Sequence, residues 1–397
     1  MAIDSFVLQQ KDYIVGMRRY FHAHPEVSLK EFKTAERIEQ ELDALGMEHS
    51  RVGETGVYAC IRGRKLVQGT TRTVALRADM DALGMDDLKS CEYASQNQGF
   101  CHACGHDGHT AALLGAARIL KSMENDFAGE VRFFFQQAEE VGQGARQFVA
   151  AGLLEGVDRI YGQHVTNTLN VGEIGVAAGP LNASCDFFRI EVKGKGAHVS
   201  MPHRGVDALY VASQIVVAVQ SIVARSTDPM DSVVVGIGKA WAGTQYNIVA
   251  EEAVLEGTVR TFSEQVRAFT NKRLADIVEK TAEMYGASAT ITFKNYANPL
   301  INDKTAAAEV RSIAGEIVGV DHVVGDYPKS MMAEDFADYL PHCCGAFAYF
   351  GTHSDKPGTD SANHNGHFDI DEDGLLVACN MFVRYALAVL NETTKKA

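Results

Sequence analysis

The sequence lacks an uninterrupted hydrophobic run of the length that a membrane helix requires. Its most apolar window, ALYVASQIVVAVQSIVA at positions 208–224, is interrupted by polar residues such as Gln214 and Gln220, whereas a membrane helix requires about 20 mostly apolar residues. This window predicts a buried helix. The N-terminal residues MAIDSFVLQQKDYIVGMRRY also lack the basic segment and apolar core of a signal peptide. We therefore expect a cytoplasmic protein that has no membrane partner.

Positive charge is scarce as well. The chain has 37 lysines and arginines against 51 aspartates and glutamates, a net charge of −14. Such a surface repels phosphate backbones, which argues against a nucleic-acid partner. The eight cysteines are scattered through a chain with no visible export signal. This pattern predicts reduced, buried or metal-bound thiols rather than a disulfide framework.

The chain is long enough for two domains, with 397 residues and 46% hydrophobic residues. Strand-like segments at 57–61, 73–78, 130–138, 159–163 and 346–350 alternate with helical segments at 12–45, 109–123 and 145–153. A further helix is expected from about Asp373. This alternation is typical of an α/β domain.

A different order of elements appears after Gly179. It consists of a strand at 187–192, a helix at 206–225, strands at 232–239 and 253–261, a helix at 264–285 and a strand at 289–294. Strand–helix–strand–strand–helix–strand is the order of a ferredoxin-like α+β domain. We therefore predict a discontinuous α/β domain, residues 1–182 and 297–397, into which an α+β domain, residues 183–296, is inserted.

The densest group of reactive side chains is HACGHDGH at 102–109. It follows Cys101 directly, so two cysteines and three histidines lie within nine residues. Thiolate and imidazole are preferred ligands of zinc and neighbouring transition metals. The alternatives are a redox pair of Cys101 and Cys104, or a helix start with incidental histidines. Cys104 and His106 are spaced to reach one metal site, whereas His109 could bind the metal or support a ligand.

Other candidate residues lie at predicted strand ends or in loops. Glu139 and Glu140 follow a hydrophobic strand, where one carboxylate could bind metal while the other transfers protons. Asp79 and Asp81 follow another strand, and His164 is predicted to close a third. His364 lies in a loop before the last helix. Each signal alone is weak, but open α/β sheets bind ligands at the carboxyl ends of their strands, and a shared metal site would explain all of them.

These segments together resemble the two-metal family of aminoacylases and carboxypeptidases. The likeness is strongest to its amidohydrolase branch of hippurate hydrolases, N-acyl-amino-acid deacetylases and plant auxin-conjugate hydrolases. The segments that carry it span nearly the whole chain: RRYFHAHPEVS at 18–28, ALRADMDAL at 75–83, HACGHDGHTAALLG at 102–115, QQAEEVGQGARQFVAAG at 136–152, GQHV at 162–165, GKGAHVSMPHRGVDA at 194–208, EGTVRTF at 256–262, MAEDFADYL at 332–340 and HNGHFDIDEDGL at 364–375.

The resemblance implies a mixed-sheet, three-layer catalytic domain with an inserted lid or dimerisation domain. It implies two divalent metal ions per subunit, zinc or manganese, with cobalt or nickel as further options. The implied metal ligands are Cys104, His106, Glu140, His164 and His364. Glu139 would be the general base for a water activated by the metal ions. Asp81 would orient the metal site, with Asp79 in a supporting position.

The resemblance also assigns residues of the inserted domain. His198 would stabilise the oxyanion across a dimer interface, so a homodimer or larger homo-oligomer is expected. Asn247 and Arg260 would hold the substrate carboxylate, for which a guanidinium is well suited.

The resulting hypothesis is a metal-dependent amidohydrolase that cleaves the amide bond of N-acyl-L-amino acids or amino-acid conjugates. The first alternative is a dipeptidase or carboxypeptidase of the same family, which would use the same catalytic residues. The second is an inactive metal or small-ligand binding protein, against which the intact Glu139 argues.

Overall fold

Residues 1–391 are described by the computed structural model. Their helices are α1 Ser5–Leu8, α2 Lys11–Ala23, α3 Phe32–Ala44, α4 His106–Ser122, α5 Gly144–Ala150, α6 Ala208–Ser221, α7 Glu264–Met284, α8 Lys304–Val318 and α9 Gly374–Asn391. Their strands are β1 Glu48–Val52, β2 Gly56–Arg64, β3 Thr73–Asp79, β4 Ala128–Gln136, β5 Arg159–Asn170, β6 Ile174–Gly175, β7 Gly179–Asn182, β8 Cys185–Lys193, β9 Val233–Ala242, β10 Glu252–Thr261, β11 Ser288–Ala297, β12 Leu300–Asn302, β13 Val323–Val324 and β14 Gly345–His353.

These elements form two compact units. The first comprises Met1–Gly179, Ile301–Pro328 and the described residues from Asp335 onward; the second comprises Pro180–Leu300 and Lys329–Glu334. The predicted boundaries, after 182 and after 296, differ from these by a few residues. The segment Lys329–Glu334 was not predicted to belong with the insertion, because it lies far from it in sequence.

The first unit is built on an eight-stranded sheet in the order β1-β2-β4-β3-β5-β14-β6-β13. The central pairs β4–β3, β3–β5 and β5–β14 are parallel, whereas β1–β2 and β2–β4 are antiparallel. Strand β4 shows how the sheet is covered. Phe133 and Phe135 belong to the main apolar core with α4 and α9, while Phe134 packs on Phe148 of α5. Helical layers on both faces of a mixed sheet confirm the predicted three-layer α/β class.

The second unit is a four-stranded antiparallel sheet in the order β11-β8-β10-β9. Helices α6 and α7 cover it, and their apolar residues share one core with the strands, which includes Phe188, Ile215 and Leu274. The element order β8-α6-β9-β10-α7-β11 confirms the predicted ferredoxin-like arrangement.

Two predictions about single elements were wrong. Strand β5 does not end before His164 but continues to Asn170, because its residues keep pairing with β14 as far as Gly351 and beyond. The 208–224 window is not a wholly buried helix. Its helix ends in a π-helical turn at Ile222–Ser226, and only one face is buried. The residues of the opposite face are exposed, among them Leu209, Tyr210, Val217 and Val223.

Among the described residues, two helices are long and apolar enough to cross a membrane, judged by their length and composition alone. They are Ala208–Ser226, in which 33% of the window is buried, and Gly374–Asn391, in which 72% is buried. The second is a core helix of the first unit, which accounts for its apolar composition. The described cysteines, all eight of the chain, are free.

Candidate metal centre

The candidate site lies in the first unit, where parallel strands β3, β4 and β5 run side by side. Asp79 ends β3, and the turn of a 3₁₀ helix at Glu139–Val141 follows β4. The N-terminus of α4 supplies His106, and β5 supplies His164. The loop before α9 supplies His364. The end of β3, the turn after β4, the start of α4, the middle of β5 and the loop before α9 therefore bring residues from five distant parts of the chain together beside the sheet.

The backbone is constrained where these residues are held. Gly105, between Cys104 and His106, has a left-handed φ of +89°, and a Cβ there would lie 2.4 Å from Cγ2 of Val165. Ala138 and His364 are non-glycine residues that also have positive φ, 55° and 63°. Such conformations cost about 1–3 kcal/mol each and are common at functional sites. Ala138 directly precedes Glu139, and His364 is itself a candidate ligand, so both strained positions lie at the candidate site.

Cys104, His106 and His164 form one group of donors, with one ligating atom of each within 4.8 Å of the others. Nε2 of His164 lies 3.5 Å from the Cys104 sulfur. The Nδ1 atom of His106 lies 2.9 Å from the Asp81 carbonyl oxygen, and Nδ1 of His164 lies 2.7 Å from that of Val165. A carbonyl can only accept, so Nδ1 carries the proton in both rings. When the rings are neutral, both Nε2 atoms therefore keep a free lone pair.

Glu140 and His364 complete a second group with Cys104, and Glu139 and Glu140 form a third with His106. Oε1 of Glu140 lies 3.3 Å from Nε2 of His364 and 3.9 Å from Nε2 of His106. Within the described chain, His106 Nε2 and Glu140 Oε1 are buried atoms that have no hydrogen-bond partner. Unsatisfied buried acceptors that face one another are costly unless a cation lies between them. The donor set therefore fits divalent metal ions.

The pKa shifts of Cys104 and His164 agree with this fit, whereas burial of His106 is outweighed by the charges of Asp79 and Cys104, which raise the pKa of its ring. Burial, and then the charge of Glu140, raise the pKa of the Cys104 thiol to about 12, so its thiolate needs a nearby cation at neutral pH. Burial, and then the charge of His109, hold the pKa of His164 well below its usual value. A neutral imidazole is the form that binds metal.

Asp81 connects the two parts of the site. Its carboxylate accepts the Nδ1–H of His106, the Ser28 hydroxyl at 2.6 Å and the backbone N–H groups of Glu139 and Glu140 at 3.2 and 3.0 Å. Burial opposes ionisation, but the hydrogen bonds from His106 and Ser28 outweigh it and lower the pKa of Asp81. The lowered pKa keeps Asp81 ionised at neutral pH, and its carboxylate holds the His106 ring and the Glu139–Glu140 turn through these hydrogen bonds.

The role of His109, left open by the sequence, follows from its hydrogen bonds. Its Nδ1 lies 2.5 Å from Oδ1 of Asp79, and its Nε2 accepts the backbone N–H of Val165 at 2.9 Å. Both ring nitrogens are therefore occupied by protein groups. His109 supports the strand that carries His164 and has no ring nitrogen left for a metal ion. Asp79 holds His109 and accepts a hydrogen bond from Arg77, and its Oδ2 also lies 3.7 Å from Nε2 of His106.

Sequence reasoning missed a buried network beneath Glu139. Arg77 lies inside β3 and donates to Asp79, Gln136 and Asp335 at 2.9 Å each. The backbone N–H of Asp335 faces Oε1 of Glu139 at 3.4 Å. Asp335 is fully buried. The available signal was the arginine in the otherwise apolar strand TVALRAD, because a buried charge requires partners.

The predicted residues of the second unit are described there alone. His198 is exposed, and its Nδ1 accepts the Ser200 hydroxyl at 2.7 Å. Asn247 lies on a neighbouring segment, where its carbonyl oxygen accepts the N–H of Val199 at 3.1 Å. Arg260 is half-buried in β10 and donates to the Met331 carbonyl oxygen at 3.1 Å. Their assignments to oxyanion and carboxylate binding stay predictions.

A two-unit α/β protein with a cluster of thiolate, imidazole and carboxylate donors, beside a buried glutamate, belongs to the class of metal-dependent hydrolases. The chain is a member of peptidase family M20/M25/M40, whose family model matches residues 75–388. It is therefore a hydrolytic enzyme, and the family resemblance drawn from the sequence is confirmed.

Individual relatives share most of their length with this chain. It is 38% identical to an N-acetyl-L-cysteine deacetylase of Bacillus subtilis (96% of this chain, 90% of the relative). It is 35% identical to the IAA-amino acid hydrolase ILR1-like 4 of Arabidopsis thaliana (97% and 89%). Among solved structures, the YXEP protein of Bacillus subtilis, described as a dinuclear metal binding peptidase from the M20 family, has a TM-score of 0.83 and 34% identity (97% and 100%).

Proposed function

We propose that this enzyme hydrolyses the amide bond of N-acyl-L-amino acids or amino-acid conjugates at a two-metal centre. The observation that carries the proposal is the position of Glu139. This residue is only 5% exposed, and its carboxylate lies within the donor group formed with His106 and Glu140. The names of the deacetylase and the conjugate hydrolase support amide substrates with a free amino-acid product.

Cys104, His106, Glu140, His164 and His364 would hold the two ions. When bound, divalent ions lower the pKa of water and polarise the amide carbonyl. We propose zinc or manganese, with cobalt or nickel as alternatives, because a set of this kind accepts all four. The free cysteines support a reducing compartment such as the cytoplasm.

Glu139 would act as the general base and then as the general acid. It would accept a proton from the attacking water and deliver it to the nitrogen of the leaving amine. The backbone N–H of Asp335 and the Asp81-bound turn hold its position. Asp81 itself stays ionised and orients His106. We assign His198 to the oxyanion, and Asn247 and Arg260 to the substrate carboxylate, in an inserted lid or dimerisation domain.

Replacing Glu139 with glutamine tests the assignment of the base. We expect the turnover number to fall by about 10²–10⁴-fold, since proton transfer contributes that much to catalysis, while the bound metal, measured by mass spectrometry, is retained. The matched control is Glu36→Gln, at an exposed glutamate of α3, which should keep full activity. Undiminished turnover in the Glu139 variant would refute the proposed role.

A second candidate function is that of a dipeptidase or carboxypeptidase, favoured by the solved relative that is described as a peptidase. Both reactions use the same catalytic groups, so kinetics must separate them. The panel consists of N-acetyl, N-benzoyl and indole-acyl amino acids beside dipeptides, assayed with each of the four metals. Higher kcat/KM for acyl amino acids supports the first proposal, and higher values for dipeptides support the second.

A further inference from the structure

The loop that carries His364 makes a second contact with the metal donors. Asn363, the residue before His364, points its side-chain amide at the Cys104 sulfur, with 3.5 Å between Nδ2 and Sγ. The same loop is tied to the Cys104 loop by the backbone N–H of His364, which donates to the Ala103 carbonyl oxygen at 2.7 Å. Two neighbouring residues of one loop thus contact two neighbouring residues of the other.

We propose that Asn363 is a positioning residue of the metal centre, whose amide donates a hydrogen bond to the Cys104 thiolate and thereby sets the donor strength and orientation of that sulfur. The proposal rests on the proposed function, because it takes Cys104 to be a metal ligand. Only the Nδ2 group can donate, and a metal-bound thiolate can only accept, so the bond requires this orientation of the amide.

The chemical consequence follows from charge. A hydrogen bond withdraws electron density from the thiolate, so the sulfur donates less to the metal ions. Metal ions held at this site would then be stronger Lewis acids toward an amide carbonyl. Water competes with this contact only in part, because His106 is fully buried and Cys104 and Asn363 are only partly accessible.

The position of Asn363 also restrains His364. The His364 backbone is held at a φ of 63°, a conformation that persists only when the surrounding structure supports it. Contacts on both sides of that backbone, from Asn363 to Cys104 and from His364 to Ala103, supply such support. Loss of the amide should therefore loosen His364 as well as change the sulfur.

The test uses protein loaded with cobalt, whose bond to a thiolate gives a charge-transfer band in the near ultraviolet. The variants are Asn363→Ala and the similarly sized, apolar Asn363→Leu. Both should move the band to lower energy and weaken cobalt binding by about 10-fold, the lower end of the usual effect of losing a group that orients a ligand. The matched control is Asn365→Ala in the same loop, whose side chain accepts the His367 N–H at 2.9 Å and should change neither quantity.

A Cys104→Ser variant separates the two proposals. If the band disappears in Cys104→Ser and shifts in both Asn363 variants, both proposals are supported. If it disappears in Cys104→Ser but keeps its energy and cobalt affinity in the Asn363 variants, the role of Asn363 is wrong while the metal assignment stands. If the unsubstituted protein has no thiolate band, or keeps it in Cys104→Ser, Cys104 is not a ligand and the proposal for Asn363 falls with it.

Discussion

At the scale of single residues, this protein depends on buried charges that are satisfied in groups. Arg77 in the first unit and Asp186 in the second are both enclosed, and each is bound by several polar side chains. Removing one member of such a group costs more than the group contributes in total, because the partner is left as a buried, uncompensated charge. Substitutions at these residues should therefore affect stability far more than those of surface ion pairs.

Asp186 allows a clean test of this point. It accepts a two-pronged bond from Arg267 of α7 at 2.6 and 2.7 Å, and further bonds from Asn271 and Asn295. We expect Asp186→Asn to lower the free energy of unfolding of the second unit by about 3 kcal/mol at pH 7. Trp241, the single tryptophan of the chain, lies in β9 of that unit, so its fluorescence in a urea titration reports the transition.

The same residue predicts a pH dependence. Burial opposes ionisation of Asp186, but its bonds from Arg267 and Asn271 outweigh burial and lower the pKa of its carboxyl. The unfolded chain therefore takes up the proton first as pH falls. The stabilisation is present above about pH 4 and is lost below it, and Asp186→Asn should flatten this acid limb. The control, Glu283→Gln, breaks an exposed pair with Lys280 and should leave both measurements unchanged; an equal effect would contradict the explanation.

At the scale of elements, the turn that starts α4 decides whether Cys104 and His106 face the same site. Gly105 needs its positive φ, and Val165 leaves no room for a side chain. Gly105→Ala should cost about 3 kcal/mol, from left-handed strain and overpacking together, and should reduce metal content. Thermal unfolding and mass spectrometry measure the two effects.

The variant Gly99→Ala separates the cost of backbone strain at positive φ from the cost of steric overlap with Val165. Gly99 has a similar φ of +82°, but no heavy atom lies within 4 Å of the position that a Cβ would take there. Only the backbone strain of about 1 kcal/mol remains in this variant, and its metal content should be normal. If the two variants lose the same stability, contact with Val165 is not what makes Gly105 necessary.

At the scale of the whole molecule, the exposed apolar face of α6 bears on the proposed dimer. Val217 on this face is 68% exposed, and one of its neighbours across the surface groove is Met284 at the end of α7. If this face lies between subunits, Val217→Glu should shift the protein from dimer to monomer in sedimentation velocity, because a buried unpaired charge opposes association.

Val320→Glu provides the control, since Val320 is 77% exposed in the first unit and should not affect association. Activity measured on the same samples tests His198. If His198 acts across a dimer interface, the monomer formed by Val217→Glu should lose activity. A fully active monomer of the unsubstituted protein would exclude that role.

Much of this protein could be predicted from its sequence, because local patterns determine local structure. The order of strands and helices indicated both the α/β unit and the ferredoxin-like unit, and short segments such as HACGHDGH carry their donors at helix starts and strand ends. The family followed from residues that lie close together in sequence. Residue type indicated that one of Glu139 and Glu140 could transfer protons, and the family resemblance then assigned that role to Glu139.

Contacts between distant segments were decided only by the tertiary structure. Whether His109 or His106 keeps a free lone pair depends on Asp79, Asp81 and the backbone of β5, none of which is adjacent to either ring in sequence. The length of β5 depends on its pairing with β14, which lies far from it along the chain. The exposure of one face of α6 depends on how much of the helix its sheet covers. In each case the sequence gives the chemistry of the side chain. The fold decides which group it bonds to and whether it is covered or exposed.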